Sequence, residues 1–284
     1  MPNAEGLMPN AENAEAGQPA HPRVLLGPMS LNLVPPVHRA THRIGLYLSG
    51  LRDAKLSQGD AHILALLDET SPATIGDRLV VQVSRWDRLK DPVGVIRGFA
   101  DHVAPYVDAH LIVAGPAVDA VADDPEGRQM LQESVQAWNA LPPAARRSVH
   151  LASLPMMDAQ ENAAMVNALQ RHAEVVVQKS LAEGFGLTVA EAMWKGRPVV
   201  ASRIGGIQDQ IDDGRTGLLI DDPRDLGQYG RCVMSLLEDP ARARKIGEAA
   251  REQVRNYFLG PRHLMQYAQL LEDLISSSVQ GAVS

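Results

Sequence analysis

The sequence predicts a doubly wound α/β domain, a Rossmann-like parallel sheet with helices on both faces, over about residues 76–222, followed by a tail made of helices alone. Two observations carry this. Short apolar runs rich in valine alternate with longer stretches of helical spacing, the rhythm of parallel strands joined by right-handed crossovers. The runs are also continuous rather than alternately apolar and polar, as in strands buried on both faces.

Residues 78–83 (RLVVQV) are the first strand. A helix is expected over 92–103, where Val95, Ile96, Phe99 and Val103 share one face. The second strand, 109–114 (AHLIVA), ends at Gly115-Pro116 and is followed by a helix over about 125–140. A third strand is read at 148–152, a helix at 159–171, and a fourth strand at 174–178 (EVVVQ). Residues 188–195 read as helix, 198–202 (PVVAS) as the fifth strand and 217–220 as a shorter sixth. Beyond Pro223 only helices are expected, at about 223–238, 240–256 and 260–277. Upstream, MPNAE occurs at 1–5 and again at 8–12, and the polar, aperiodic stretch 1–20 is expected to be a disordered tail. Residues 21–75 form a poorly patterned N-terminal remnant, with a strand expected at 24–26 and short helices at 44–51 and 61–67.

Composition narrows the function classes. The 27 basic and 34 acidic residues leave a net charge of -7, which argues against a nucleic-acid partner held by phosphate neutralisation. Aromatic residues make up only 4%, too few for a stacking platform. Cys232 is the only cysteine, so no internal disulfide and no multi-cysteine metal site is expected, and its apolar neighbours predict a buried structural thiol. No apolar stretch approaches the roughly 20 residues of a membrane span, and no signal peptide is read at the N-terminus, so the expectation is a cytoplasmic protein.

In such a sheet ligands bind beyond the carboxyl ends of the strands. After the first strand come Ser84, Arg85, Trp86, Asp87 and, further on, Lys90; after the fourth come Glu183, Gly184, Phe185, Gly186, Leu187 and Thr188; after the fifth come Arg203, Gly205 and Gly206. The glycines allow close backbone approach to a ligand. The helix that follows directly aims its free N–H groups at the rim, where they favour an anion. Glu183 and Glu191 stand on either side of that helix start. This layout suits a nucleotide-diphosphate sugar, with amides for phosphate and carboxylates for sugar and ribose hydroxyls. Against it stand ordinary readings: a Gly-x-Gly turn is common packing chemistry, and single arginines, lysines and glutamates are usually solvated. The concentration on one rim favours the ligand.

The run from Glu183 to Met193 (EGFGLTVAEAM), with seven residues between its two glutamates, resembles the signature of retaining family-4 glycosyltransferases of the GT-B fold. So do Ser84-Arg85-Trp86-Asp87, Lys90-Asp91-Pro92, Ala114-Gly115-Pro116, Pro198-Val199-Val200-Ala201, Gly205-Gly206-Ile207 and the stretch 213–217. Within that family, 166–171 (VNALQR), 177–180 (VQKS) and 192–196 (AMWKG) resemble the trehalose-forming branch, which includes trehalose glycosyltransferring synthase and retaining trehalose phosphorylase.

The resemblance implies that 76–280 is a nucleotide-sugar donor domain, with a nucleotide-diphosphate-glucose as donor, a small sugar as acceptor, and neither cofactor nor metal. Arg85, Lys90 and Glu183 would be catalytic: the cations on the leaving diphosphate, the carboxylate on the transferred sugar. Ser84, Gly184, Phe185, Gly186, Leu187 and Thr188 would line the donor, Glu191 would hold the ribose, Ser153 and Leu154 would meet the base beyond the third strand, and Asn167 would complete the donor-binding set. Asp212-Asp213 and Asp221-Asp222 are read as solvated turn residues.

Residues 21–75 do not resemble the family's acceptor domain, and His38 and His42 are read as surface histidines. The chain is therefore expected to bind donor, with transfer depending on an acceptor lobe from elsewhere; a separately encoded N-terminal lobe and self-association are both expected partners. Two alternatives stay open: a nucleotide-sugar-binding module without turnover, and a trehalose phosphorylase.

Overall fold

A computed structural model describes residues 78–118, 124–156 and 158–281. The expectations for 1–20 and 21–75, including the strand at 24–26, the helices at 44–51 and 61–67, and His38 and His42, lie outside the described residues.

Six parallel strands form one sheet: β1 Leu79–Val83, β2 His110–Pro116, β3 Val149–Leu154, β4 Val175–Gln178, β5 Val199–Ser202 and β6 Leu218–Ile220. Their order is β3-β2-β1-β4-β5-β6. The helices are α1 Pro92–His102, α2 Pro125–Asn139, α3 Pro143–Arg146, α4 Ala159–His172, α5 Leu187–Trp194, α6 Ile207–Gln210, α7 Leu226–Leu237, α8 Pro240–Tyr257 and α9 Gly260–Gly281. This is the doubly wound α/β fold expected, with helices alone after β6. The four-residue helices α3 and α6 and a 3-10 turn at Arg88–Lys90 were not expected. Each is a single turn, too short to leave a periodic signal.

The continuous apolar strands are explained by two cores. Leu79, Val81 and Val83 face Met165 and Leu169 of α4, Val189 and Met193 of α5, and Ala250 and Val254 of α8. Val80, between them, faces the other way, with Ile96 and Phe99 of α1 and Tyr229 and Val233 of α7. Successive strand side chains point to opposite faces, so a sheet covered twice needs an apolar residue at every position.

Helix starts follow from local chemistry. The carboxylates of Asp124, Asp225 and Asp239 accept hydrogen bonds from the amides of Gly127, Gln228 and Arg242, capping α2, α7 and α8. Proline in the first turn of α1, α2 and α8 gives up no hydrogen bond the helix needs.

Two expectations are corrected. β3 runs to Leu154, so Ser153 and Leu154 belong to the strand and not to a loop beyond it. Both are buried, paired with Gly115 and Pro116 of β2, and the Leu154 side chain lies in the core. Cys232, expected to be buried, is half-buried on α7, where desolvation pushes its thiol pKa up.

Candidate functional site

The strand order decides where the site lies. Chain direction across the sheet reverses between β1 and β4, which are hydrogen-bonded neighbours with Val81 opposite Val176. At such a reversal the loops leaving the two strands diverge and open a crevice. The loops here are 84–91 after β1 and 179–186 after β4, the two that carry most of the candidate residues.

Lys90 and Glu183 meet across this crevice. Lys90 Nζ donates to Glu183 Oε2, and both side chains are largely buried, at 16% and 12% exposure. Glu183 Oε1 also accepts from the Gly184 amide at 3.1 Å. Residues separated by 93 positions thus form one charge-assisted contact at the head of the glycine turn. Below it the Leu181 amide donates to the Leu89 carbonyl at 2.7 Å, and Gln82 Nε2 donates to the Lys90 carbonyl at 3.0 Å.

The glycine turn has one open face and one packed face. A Cβ built on Gly184 would meet nothing within 4 Å. Gly186 has φ +87 and is the N-cap of α5, a left-handed backbone that a side chain would strain. Behind the turn, Gly205 has φ +47, and a Cβ there would lie 1.7 Å from the Glu183 carbonyl oxygen. The Gly206 amide donates to the Gly184 carbonyl at 2.8 Å, and Gln210 Nε2 donates to the Phe185 carbonyl. The loop after β5 is therefore a backing plate for the loop after β4. Phe185 packs against Phe258 with ring centroids 6.2 Å apart, while Leu187 is exposed at the mouth. Gly186 caps a helix of eight residues, whose first amides lack partners within the helix.

The other candidates distribute unevenly. The Ser84 amide donates to the Ala114 carbonyl at 3.0 Å, at the floor of the crevice. Arg85 is 76% exposed and donates to Asp87 Oδ2 at 3.1 Å. Trp86, between them, is buried with its indole N–H on the Pro116 carbonyl at 2.8 Å, so it anchors the loop that displays Arg85.

Glu191 lies one turn into α5 beside Lys195. Burial raises the Glu191 pKa and the neighbouring Lys195 charge opposes that rise. Lys195 is itself pushed down to about 8, first by burial, then by Arg171, while Glu191 works in the other direction. Lys195 Nζ donates to Gln170 Oε1. Asn167, nearly buried on α4, accepts from Arg171 Nε at 3.3 Å, one turn along the same helix.

Arg203, read as a third rim cation, is held by Asp213 at 2.6 Å and Asp221 at 2.7 Å. Those two aspartates, expected to be merely solvated, are its partners. Among the described residues no group of three or more His, Cys, Asp or Glu could hold a metal ion, and no helix is long and apolar enough to cross a membrane.

Sequence reasoning missed Lys179 and Asp91. Lys179, directly after β4, is fully buried and paired with Asp91. The signal available was a lysine abutting a four-residue apolar run, which reads equally well as the start of a solvated loop.

Residues 150–253 match the family described as glycosyl transferases group 1, a span that includes the glycine turn, both glutamates and the backing loop. The chain carries a glycosyl transferases group 1 domain, on a GT-B-like fold. Among proteins of known function, the trehalose synthase of Rubrobacter xylanophilus is 40% identical over 196 residues, 69% of this chain and 44% of that protein. The trehalose synthase of Pyrococcus horikoshii is 35% identical over the same share of each. The chain thus spans less than half the length of these curated relatives. Among solved structures, sucrose-phosphate synthase of Thermosynechococcus elongatus superposes with a TM-score of 0.57 at 27% identity, covering 78% of this chain and 49% of that one. Anabaena HepE, in complex with UDP and glucose, gives 0.63 at 18% identity over 86% and 55%, a likeness of fold.

Proposed function

We propose that this chain is the donor-binding half of a retaining glycosyltransferase that takes glucose from a nucleotide-diphosphate-glucose and passes it to a sugar acceptor, with trehalose formation as the favoured reaction. The observation that carries the reading is the Lys90–Glu183 contact at the open face of the glycine turn, where two strands diverge. An ammonium, a carboxylate and a helix N-terminus converge there, each suited to a different part of one ligand. The likeness to trehalose synthases supports the reaction class, and the UDP and glucose bound by HepE support the ligand class.

The chemistry follows from charge. As the sugar leaves, negative charge grows on the diphosphate, where Lys90, Arg85 and the first amides of α5 would stabilise it; a preorganised donor shielded from water is worth about 3–4 kcal/mol, and the exposed Arg85 less. Glu183 would hold hydroxyls of the glucose and support its developing cation. Glu191 would accept hydrogen bonds from the ribose, with Lys195 offsetting its burial. The base would lie beyond the end of β3, near Ser153, and Asn167 would act from the flank of α4. The acceptor would attack from the face the diphosphate leaves, handing its proton to phosphate oxygen, so that the anomeric configuration is kept.

Acceptor binding would belong in this scheme to a second lobe facing the open side of the glycine turn. Leu264, Met265, Leu271 and Ile275 of α9 are exposed apolar side chains suited to such a contact. A non-catalytic donor-binding module is the second reading. Calorimetry with UDP-, ADP- and GDP-glucose, together with a transfer assay to glucose with and without inorganic phosphate, separates the readings. Transfer without phosphate selects the transferase, binding without transfer selects the module, and activity only with trehalose and phosphate selects a phosphorylase. Absence of binding to all three donors removes the donor site altogether.

A further inference from the structure

Lys179 is the one charged side chain among the described residues that is completely removed from solvent. It follows the valine strand β4 and lies among buried neighbours, where an unpaired ammonium would be strongly disfavoured. Its partner is Asp91, the residue next to Lys90 in sequence. Resting on the donor-site reading above, we propose that Lys179 and Asp91 form a buried positioning pair, which holds the backbone at 88–91 so that Lys90 projects to the diphosphate position.

Three features point to position rather than to direct ligation. First, both oxygens of Asp91 are engaged. Oδ2 receives Lys179 Nζ and Oδ1 accepts from the Gly94 amide at 3.1 Å, so the carboxylate ties β4 to the start of α1. Second, Asp91 has φ 48, the only positive φ at a non-glycine position among the described residues. An aspartate tolerates this left-handed conformation at a cost of about 1–2 kcal/mol, and it needs its surroundings to hold it there. This residue ends the 3-10 turn that carries Lys90 and begins α1, so its conformation sets the direction in which Lys90 leaves the backbone. Third, the ties reaching the turn from β1 and the loop after β4 are the neutral hydrogen bonds Gln82 Nε2 to Lys90 O and Leu181 N–H to Leu89 O. The Arg88–Glu133 ion pair on the α2 side is largely exposed, so besides Lys90–Glu183 itself the Lys179–Asp91 contact is the buried ionic tie. Its two charges cancel, so it adds little field at the diphosphate and acts through Lys90.

Folding does not require such a pair to be charged, because buried ion pairs replaced by neutral groups of similar volume often leave stability unchanged or raised. That separates geometry from stability in the test. The double variant Lys179→Met/Asp91→Asn removes both charges, while asparagine still caps Gly94 and tolerates positive φ. Full-length wild type, this variant, Lys90→Met and the triple combination are compared for urea unfolding. The same four proteins are titrated with UDP, ADP and GDP and with the matching monophosphates.

The pair predicts a double variant that unfolds at a denaturant concentration near wild type, and that loses about tenfold in nucleoside diphosphate affinity, the worth of one charge-assisted hydrogen bond. Monophosphate affinity stays unchanged, and in the Lys90→Met background the double change adds no further loss, as expected for residues acting as a unit. Equal losses for mono- and diphosphate, losses that add fully to Lys90→Met, or an unchanged diphosphate affinity overturn it. If the double variant does not fold, Lys179→Met alone carries the same comparison, because the Asp91 carboxylate it leaves is partly exposed and still accepts from the Gly94 amide. A wild type that binds no nucleoside diphosphate removes the donor reading and this proposal together. A wild type weakened by Lys90→Met but indifferent to the pair removes only the proposal.

Discussion

At the residue scale, the site at rest is a set of cations that already have partners. Lys90 is on Glu183 and Arg85 on Asp87. On the donor reading proposed above, binding would be an exchange in which the diphosphate competes with Glu183 for Lys90. Glu183→Gln should leave nucleoside diphosphate affinity equal to wild type or higher, because the competing carboxylate is gone, while abolishing glucosyl transfer in any assembly that shows it. Calorimetry beside a transfer assay reads the two effects; a weakened diphosphate would mean that Glu183 orders Lys90 more than it competes with it. Lys195 supports a second expectation. Burial depresses its pKa from 10.5 to about 8, so between these values the unfolded chain holds a proton that the folded chain has released. Stability should therefore rise with pH across that window, and Lys195→Met should flatten the rise in urea-unfolding midpoints. Much of this scale was hidden in the sequence. Lys90 and Glu183 were legible as candidates because their neighbourhoods are rich in glycine and charge, but their contact was not. Nothing local announces a pairing across 93 positions.

At the element scale, the decisive unit is the pair of glycine loops after β4 and β5. Gly186 closes one loop in a left-handed conformation, and Gly205 lets the other approach until the Glu183 carbonyl occupies the space of a Cβ. Gly186→Ala should cost about 1–2 kcal/mol for its backbone conformation. Gly205→Ala should cost more, because backbone must move, and should lower donor affinity by shifting Glu183. Unfolding midpoints and donor titrations check the order; a Gly205→Ala protein of wild-type stability would contradict the close approach. Elements themselves were readable. Short apolar runs, most of them rich in valine, marked all six strands, and apolar spacing marked every helix longer than one turn. β3 was read two residues short at its end because Ser153 interrupts its apolar text, although it is buried there. Tertiary burial of polar residues left no local trace. The single turns α3 and α6 failed for lack of length.

At the scale of the whole molecule, the order β3-β2-β1-β4-β5-β6 brings the loops after β1 and β4 together, and strand order is a long-range property that no local pattern encodes. The chain-level expectation is that donor binding and transfer separate: residues 78–281 should suffice to bind a nucleoside diphosphate, while transfer also needs water excluded by the opposite wall of a cleft. Loss of diphosphate binding in a protein trimmed to those residues would contradict this. The backing loop repeats the pattern of compensated cations, with Arg203 between Asp213 and Asp221. With its mouth neutralised in this way, the protein offers an approaching anion no attractive funnel, and what the anion meets at a distance is the overall charge of -7. Added salt should then hasten nucleotide capture by shortening the reach of that repulsion, about 10 Å at 0.1 M ionic strength. Stopped-flow association rates that climb with salt would mark a protein that admits its ligand by screening, and attracts it only after contact.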